Sequence, residues 1–130
     1  MPQSSLLSFK TSAFPALPGE DEQTNPGIYG KALAEWLGGR LRAGGFSTGD
    51  VFAEDFGWCV PIESLPHPVY VACASGDVAD AWQVFCFVEP GLVTRLLGRD
   101  DGSASLKRVF DTLRASLSAA TEIGDLREET

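Results

Sequence analysis

The chain has little of what most catalytic and metal sites are built from, because it contains one histidine and three cysteines. Any serine or cysteine nucleophile that needs an imidazole base would have to use His67, which stands between two prolines in a turn-like context. The cysteines, Cys59, Cys73 and Cys86, have no CxxC spacing and lie inside apolar runs. We expect reduced core thiols, so the sequence predicts no zinc site and no cofactor.

Basic residues are also scarce, since 10 lysines and arginines stand against 18 acidic residues, for a net charge of −8. Nucleic-acid binding needs a basic face, so neither DNA nor RNA is expected as a partner. No apolar run approaches the roughly 18 residues of a membrane-spanning helix, and the first residues lack the pattern of a secretory signal. We therefore expect a cytoplasmic protein without membrane contact, whose acidity favours a basic protein partner.

A chain of 130 residues suffices for a single hydrophobic core, so we expect one α+β domain over residues 1–130. Residues 15–25 combine two prolines, a glycine and three consecutive acids, which predicts an acidic loop. Residues 124–130 are short and charged, which predicts a mobile tail unless Ile123 and Leu126 dock on the domain.

Hydrophobic periodicity orders the elements as β-α-β-β-β-α. Apolar residues alternate over residues 5–14, recur at helical spacing over 25–44, form strand-length runs within 51–89, and line a helical stripe that opens near Ser103. A short extra helix is predicted at 92–97, before the last one. Strands joined by short turns favour an antiparallel sheet. The predicted fold is a two-layer sandwich of four or five antiparallel strands with two main helices on one face, leaving the other face exposed or used for binding.

Two segments crowd carboxylates, glycines and large aromatics together, residues 19–37 and residues 53–61. If they converge, they form an acidic-aromatic rim, which suits a basic protein segment through carboxylate pairing and cation–π contacts. Alternation within the second segment predicts that Phe56 and Trp58 share one face of a strand. Acids in loops also cap helices, and aromatic rings also serve as core residues. The predicted binding residues are Glu20, Asp21, Glu22, Tyr29, Glu54, Asp55, Phe56 and Trp58.

The stretches TNPGIYGKALAEWL, AEDFGWCVP and WQVFCFVEPG resemble motifs of a family of small uncharacterised bacterial proteins of about this length. Relatives of that kind carry tryptophan where this chain has Phe56, which is a conservative difference. The resemblance covers most of the chain and implies a single compact domain. It implies no activity, substrate, cofactor or site residue.

Three functions stay open at this point. The first is a small binding protein, similar to an immunity or inhibitor protein, that uses the acidic-aromatic rim. The second is a metal-dependent hydrolase or another enzyme that uses the same carboxylates around a divalent cation. No catalytic or metal-binding residue is assigned, and binding is favoured over catalysis. The third is a homodimer or larger self-association through an exposed face or edge of the sheet.

Overall fold

The computed structural model describes residues 3–14, 18–24, 27–63, 65, 67–76, 80–88 and 102–129. This part of the chain forms six β-strands, two α-helices and one 3-10 turn at Glu20–Glu22. Neither of its α-helices is long and apolar enough to cross a membrane. The elements in chain order are β1 (Leu6–Lys10), α1 (Lys31–Ala43), β2 (Phe52–Glu54), β3 (Gly57–Ile62), β4 (Val69–Ser75), β5 (Ala81–Val88), α2 (Ser103–Ala119) and β6 (Gly124–Glu129).

The strands form one sheet in the order β2-β3-β4-β5-β1-β6, and every neighbouring pair is antiparallel. The α+β class is confirmed, whereas the described residues hold more strands than the predicted four or five. A three-residue strand such as β2 is too short for an alternating pattern, and β6 is almost entirely polar and exposed. The predicted short helix at 92–97 lies outside the described residues.

The predicted tail is a strand over most of its length. Residues Gly124–Glu129 pair with β1, with a bulge where the register shifts between Ser8 and Lys10. Ile123 and Leu126 are partly buried and pack against the core, which is the docking that the sequence left open. Of the predicted acidic loop, the described residues 18–24 hold the single 3-10 turn and otherwise no regular structure.

Helix α1 begins later than the sequence predicts. It starts at Lys31, with Gly30 as its N-cap, although the helical pattern begins near residue 25. The cause is a contact with β4, because the backbone N–H of Ser75 donates to the carbonyl of Tyr29 at 2.9 Å and the N–H of Tyr29 donates to the Ser75 hydroxyl at 3.1 Å. The end at Ala43, followed by Gly44 as C-cap, agrees with the prediction.

Both helices cover the same face of the sheet. Side chains alternate along β5, where buried residues at 82, 84, 86 and 88 interleave with more exposed ones. Strand registers carry the same alternation to β1, β3 and β4. The sheet contributes Leu7, Phe9, Trp58, Val60, Ile62, Val69, Val71, Cys73, Trp82, Val84, Cys86 and Val88 to the core, and the helices contribute Leu33, Ala34, Leu37, Leu41, Leu106, Val109, Phe110, Leu113 and Leu117.

All three cysteines are buried and form no disulfide, as the sequence predicts. Burial raises the pKa of Cys86 to about 12 and raises the pKa of Cys73 well above its ordinary value. These two thiols therefore stay protonated at neutral pH and serve as small core residues.

Two glycines let the chain pass close to β4. Gly30, at φ 153°, and Gly57, at φ 155°, both lie against the backbone carbonyl of Cys73. A Cβ at Gly30 would stand 2.7 Å from that carbonyl oxygen, and a Cβ at Gly57 would overlap the same atom. The two segments that the sequence singles out are thereby brought to one point beside β4.

Gly30→Ala is expected to lower the free energy of unfolding by about 2–4 kcal/mol, because backbone strain at positive φ adds to the overlap with the Cys73 carbonyl. Gly45→Ala is the matched control, since Gly45 has φ 97° but nothing within 4 Å of an added Cβ. The control should lose only the backbone strain, about 1 kcal/mol. Urea unfolding followed by circular dichroism measures both variants, and equal losses would contradict the close approach.

Candidate functional site

The two segments that the sequence singles out do meet, on the side of the sheet that carries the helices. Glu20 and Lys31 from the first segment and Trp58 from the second line one small pocket of about 140 Å³. The ammonium group of Lys31 lies 5.3 Å from the centre of the Trp58 ring, which is a cation–π contact. Asp21, Glu22 and Tyr29 belong to the same loop as Glu20, whereas Glu54, Asp55 and Phe56 stand on the hairpin that precedes Trp58.

Glu20 caps helix α1. Its side chain is buried, and its Oε1 accepts hydrogen bonds from the backbone N–H groups of Gly30, at 3.2 Å, and Lys31, at 2.5 Å. These are among the first amides of the helix, which find no acceptor within the helix itself. The carboxylate also complements the positive end of the helix dipole. Helix capping, which the sequence left open as a role for these acids, is therefore what Glu20 performs.

Asp21 holds the same loop together. Its Oδ2 accepts a hydrogen bond from the backbone N–H of Gly27 at 2.9 Å and one from the Tyr29 hydroxyl at 3.4 Å. The negative charge of Asp21 raises the pKa of Tyr29, and burial, the hydrogen bond and the charge of Glu20 raise that pKa further. Of the three loop acids, Glu22 is the one exposed to solvent.

The other two predicted acids stand on the hairpin between β2 and β3. Glu54 ends β2 and pairs with Gly57, and Asp55 lies in the turn between them. Glu20 and Asp21 bond within the loop before α1, so the predicted acids serve different elements. In the part of the chain that the structure describes, no three histidine, cysteine, aspartate or glutamate side chains come together as a metal site.

Phe56 and Trp58 lie on opposite faces of the sheet, contrary to the predicted alternation. Asp55 and Phe56 form the turn between β2 and β3, so the alternation of β3 begins only at Gly57. Trp58 is 2% exposed and belongs to the core beneath the helices. Its indole N–H has no hydrogen-bond partner among the described residues. Phe56, by contrast, is 44% exposed.

Aromatic rings cluster on the face of the sheet that neither described helix covers. Their centroids lie 5.3 to 6.3 Å apart in a connected series of contacts. Phe56 reaches across β4 to the rings on β5, because β4 has only the small side chains of Ala72 and Ala74 at that point on this face. We name this cluster the aromatic face, and it consists of Phe52, Phe56, Tyr70, Phe85 and Phe87.

Charged residues flank the aromatic face at the two opposite edges of the sheet. Glu54 lies on β2, at one edge. At the other edge, Lys10 and Arg127 line a shallow depression of about 240 Å³ between β1 and β6, together with Asp125 and Glu129. Within the described residues, Glu54, Lys10 and Arg127 form no ion pair. Their charges are therefore available to a partner.

No protein-family model, no curated protein and no solved structure matches this chain. The candidate site therefore stands on its own geometry and chemistry. Of the predicted binding residues, Phe56 belongs to the aromatic face and Glu54 and Asp55 border it. Glu20 and Trp58 lie on the helix side of the sheet.

Sequence reasoning missed four of the five rings. The signal for two of them is present in β5, where Phe85 and Phe87 alternate with the core residues Val84 and Cys86. The sequence predicts one apolar strand-length run over residues 82–89, and that prediction does not separate the second face of the strand from the first. The residues that the sequence analysis missed are Phe52, Tyr70, Phe85 and Phe87.

Glu20→Ala is expected to lower the free energy of unfolding by about 1–3 kcal/mol, because two backbone N–H groups lose their acceptor. Glu20→Gln keeps an acceptor oxygen but loses the charge, so its loss should be smaller, about 0.5–1 kcal/mol. Glu22→Ala is the matched control at an exposed site and should change stability by less than about 0.5 kcal/mol. If urea unfolding gives Glu20→Ala the stability of the control, the capping role is wrong.

The hydroxyl of Tyr29 is expected to titrate above the ordinary tyrosine pKa of about 10, because its ionisation places a phenolate beside Asp21. Asp21→Asn removes that charge and should lower the pKa of Tyr29. A Tyr70→Phe background leaves Tyr29 as the one remaining tyrosine of the two in the chain. The ultraviolet absorbance of the phenolate then reports the titration, and a midpoint that Asp21→Asn does not move would exclude this charge as the cause.

Proposed function

We propose that this protein works by binding another protein through its aromatic face, and that the bound surface has an apolar centre and a basic margin. The observation that carries the proposal is the cluster of five contacting rings on a sheet face that no described helix covers. Phenylalanine rings offer no proton, nucleophile or metal ligand. Such a surface contributes buried area rather than chemistry.

The apolar centre of the partner follows from these rings, of which Phe56 is exposed and the other four are half-buried. Soluble monomers rarely leave a large contiguous apolar patch open to water, and such a patch is typical of an interaction site. Aromatic residues are enriched among the side chains that dominate binding energy. Phe56 is the large hydrophobic residue of the described chain with an exposed side chain, and its place in a hairpin turn makes it accessible to a partner.

The basic margin of the partner follows from the charge beside Phe56. Glu54 and Asp55 stand in the same hairpin as Phe56. Charges at the rim of an interface mainly raise the association rate and fix the orientation of the partner, whereas the buried apolar centre supplies most of the affinity. The acids therefore orient a partner that the rings hold.

Replacement of Phe56 with the photoreactive amino acid p-benzoylphenylalanine tests the proposal in the cells that make the protein. Irradiation should give a discrete crosslinked product in which the partner's crosslinked region is apolar and flanked by lysine or arginine. The double change Glu54→Lys and Asp55→Lys in the same chain should reduce the yield several-fold, because it replaces attraction by repulsion at the margin. Mass spectrometry of the product identifies the attached peptide.

The matched control places the same photoreactive group at Lys107, whose side chain is 75% exposed on α2, on the other side of the sheet. It should give no product or a different one. The proposed function is wrong if position 56 gives no crosslinked protein, or if positions 56 and 107 give the same mixture. Phe56→Ser should leave the far-ultraviolet circular dichroism spectrum of the folded chain unchanged, which separates loss of binding from loss of fold.

A further inference from the structure

We propose that the protein bound on the aromatic face is a second copy of this chain, so that two sheets stack face to face in a two-fold homodimer. The inference rests on the proposed function, because it names the occupant of the same surface. In this dimer the two-fold axis runs parallel to the strands and passes between β4 and β5, which are the middle strands of the six.

Strand registers place charged residues from both edges in one row across the sheet. Glu54 stands at one end of the row and Arg127 at the other, five strand spacings or about 24 Å apart. Their side chains lie on the face that carries the rings. The reason is that, along each strand, the residue in this row is flanked by residues whose side chains point to the core. From edge to edge the row contains Glu54, Gly57, Ala74, Gln83, Ser8 and Arg127.

A two-fold axis along the strands keeps each row in place and exchanges its two ends. Glu54 of one copy therefore lies over Arg127 of the other, and the symmetry makes this pair twice. Asp55, one residue further along the hairpin turn, lies toward Lys10, which occupies the next row on the ring side of β1. The chain itself thus offers two basic residues, Lys10 and Arg127, at the edge that would meet Glu54 and Asp55.

The charges also select this axis over the alternative. An axis across the strands would bring the β2 edge of one copy onto the β2 edge of the other, so that the edge with Glu54 and Asp55 meets its own acids. The β6 edges would meet in the same way, and no Arg127 would lie opposite Glu54. Like charges opposed at an interface disfavour the arrangement.

The same operation stacks aromatic rings on aromatic rings. Tyr70 and Phe87 are registered partners on the two central strands, and their rings are stacked at 5.3 Å. Exchange of β4 and β5 between copies places Tyr70 of one chain over Phe87 of the other. Two sheets that pack in this manner stand about 10 Å apart, with the side chains of their inner faces interdigitated.

The sheet face is large enough for a stable dimer. Six strands about 4.8 Å apart and about 20 Å long present roughly 600 Å² per copy. Two copies then bury roughly 1,200 Å² in total, which is the lower end of the range for specific stable interfaces. The projecting rings make the accessible area larger than this flat value.

Two acids lie near Arg127 and affect its pairing with Glu54 of the other copy. Asp125 and Glu129 line the same depression, so the β6 margin is not uniformly basic. Glu129 pairs with Leu6, one row away from the row of Glu54 and Arg127. The attraction therefore depends on the register of the two sheets rather than on the net charge of the edge, which fixes one arrangement.

Sedimentation equilibrium of the purified full chain, from about 1 to 100 μM, tests the association. The expected mass at the upper end is twice the 13.9 kDa of one chain. Phe56→Glu places a charge at the centre of the contact and should give the single-chain mass throughout. Thermal unfolding is then compared at concentrations low enough for both proteins to be single chains. Under those conditions far-ultraviolet circular dichroism should give the same unfolding profile for Phe56→Glu and for the parent chain.

Charge reversal tests the two-fold arrangement. Glu54→Lys alone and Arg127→Glu alone should each raise the Kd of the dimer about tenfold or more, because each creates two repulsive pairs. The double variant Glu54→Lys with Arg127→Glu should return the Kd to near the parent value. These residues lie about 24 Å apart within one copy, so recovery requires contact between copies. Glu35→Lys, the same charge change on exposed α1, is the control and should leave the Kd unchanged.

The outcomes separate this inference from the proposed function. A single-chain mass at every concentration overturns the inference, and the proposed function still stands if position 56 crosslinks to a different protein. A dimer that Phe56→Glu does not weaken also overturns it, because the contact then lies elsewhere. A dimer whose double variant is no tighter than the single variants overturns the two-fold arrangement.

Discussion

The alternation of side chains along β4 and β5 is the constraint on which the remaining structure depends. Val71 and Val84 turn toward the helices, whereas Tyr70 and Phe85 turn away from them. A shift of one residue in the register of either strand would exchange these two sets, burying rings beneath helices and exposing the valines. Because α1 and α2 both pack on the valine side, the described chain has no helix for the ring side. The absence of a described helix from the ring side is therefore a consequence of where α1 and α2 dock.

The close approach at the Cys73 carbonyl explains why Glu20 is buried. The usual N-cap residues carry a side-chain acceptor, but any side chain at Gly30 would collide with that carbonyl. The cap position is thus restricted to glycine, which has no acceptor to offer. Glu20 supplies it from the preceding loop, with Oε1 bonded to the N–H groups of Gly30 and Lys31. Gly30 at the start of the helix and the buried Glu20 in the loop are therefore both consequences of the same steric restriction.

The sequence predicted what short-range periodicity determines. The apolar stripe of α2 and the antiparallel pairing of successive strands from β2 to β5 both agree with the structure. The start of α1 could not be predicted, because it depends on hydrogen bonds between Tyr29 and Ser75, which are far apart in the sequence. β6 could not be predicted either, since a polar edge strand is held by its backbone pairing rather than by an apolar pattern.

The candidate site was predictable in part for the same reasons. Sequence reasoning singled out the hairpin that carries Phe56, but it continued the alternation of β3 through the turn and so placed that ring on the wrong face. Gly57 determines which face the Phe56 ring occupies. Because Gly57 packs against the Cys73 carbonyl, the hairpin turn lies close to β4, and the small alanine side chains of β4 leave room for the ring to reach β5. Gly57 therefore supports both the fold and the aromatic face, whereas Phe56 supports only the aromatic face. Binding can accordingly be separated from folding at residue 56 but not at residue 57.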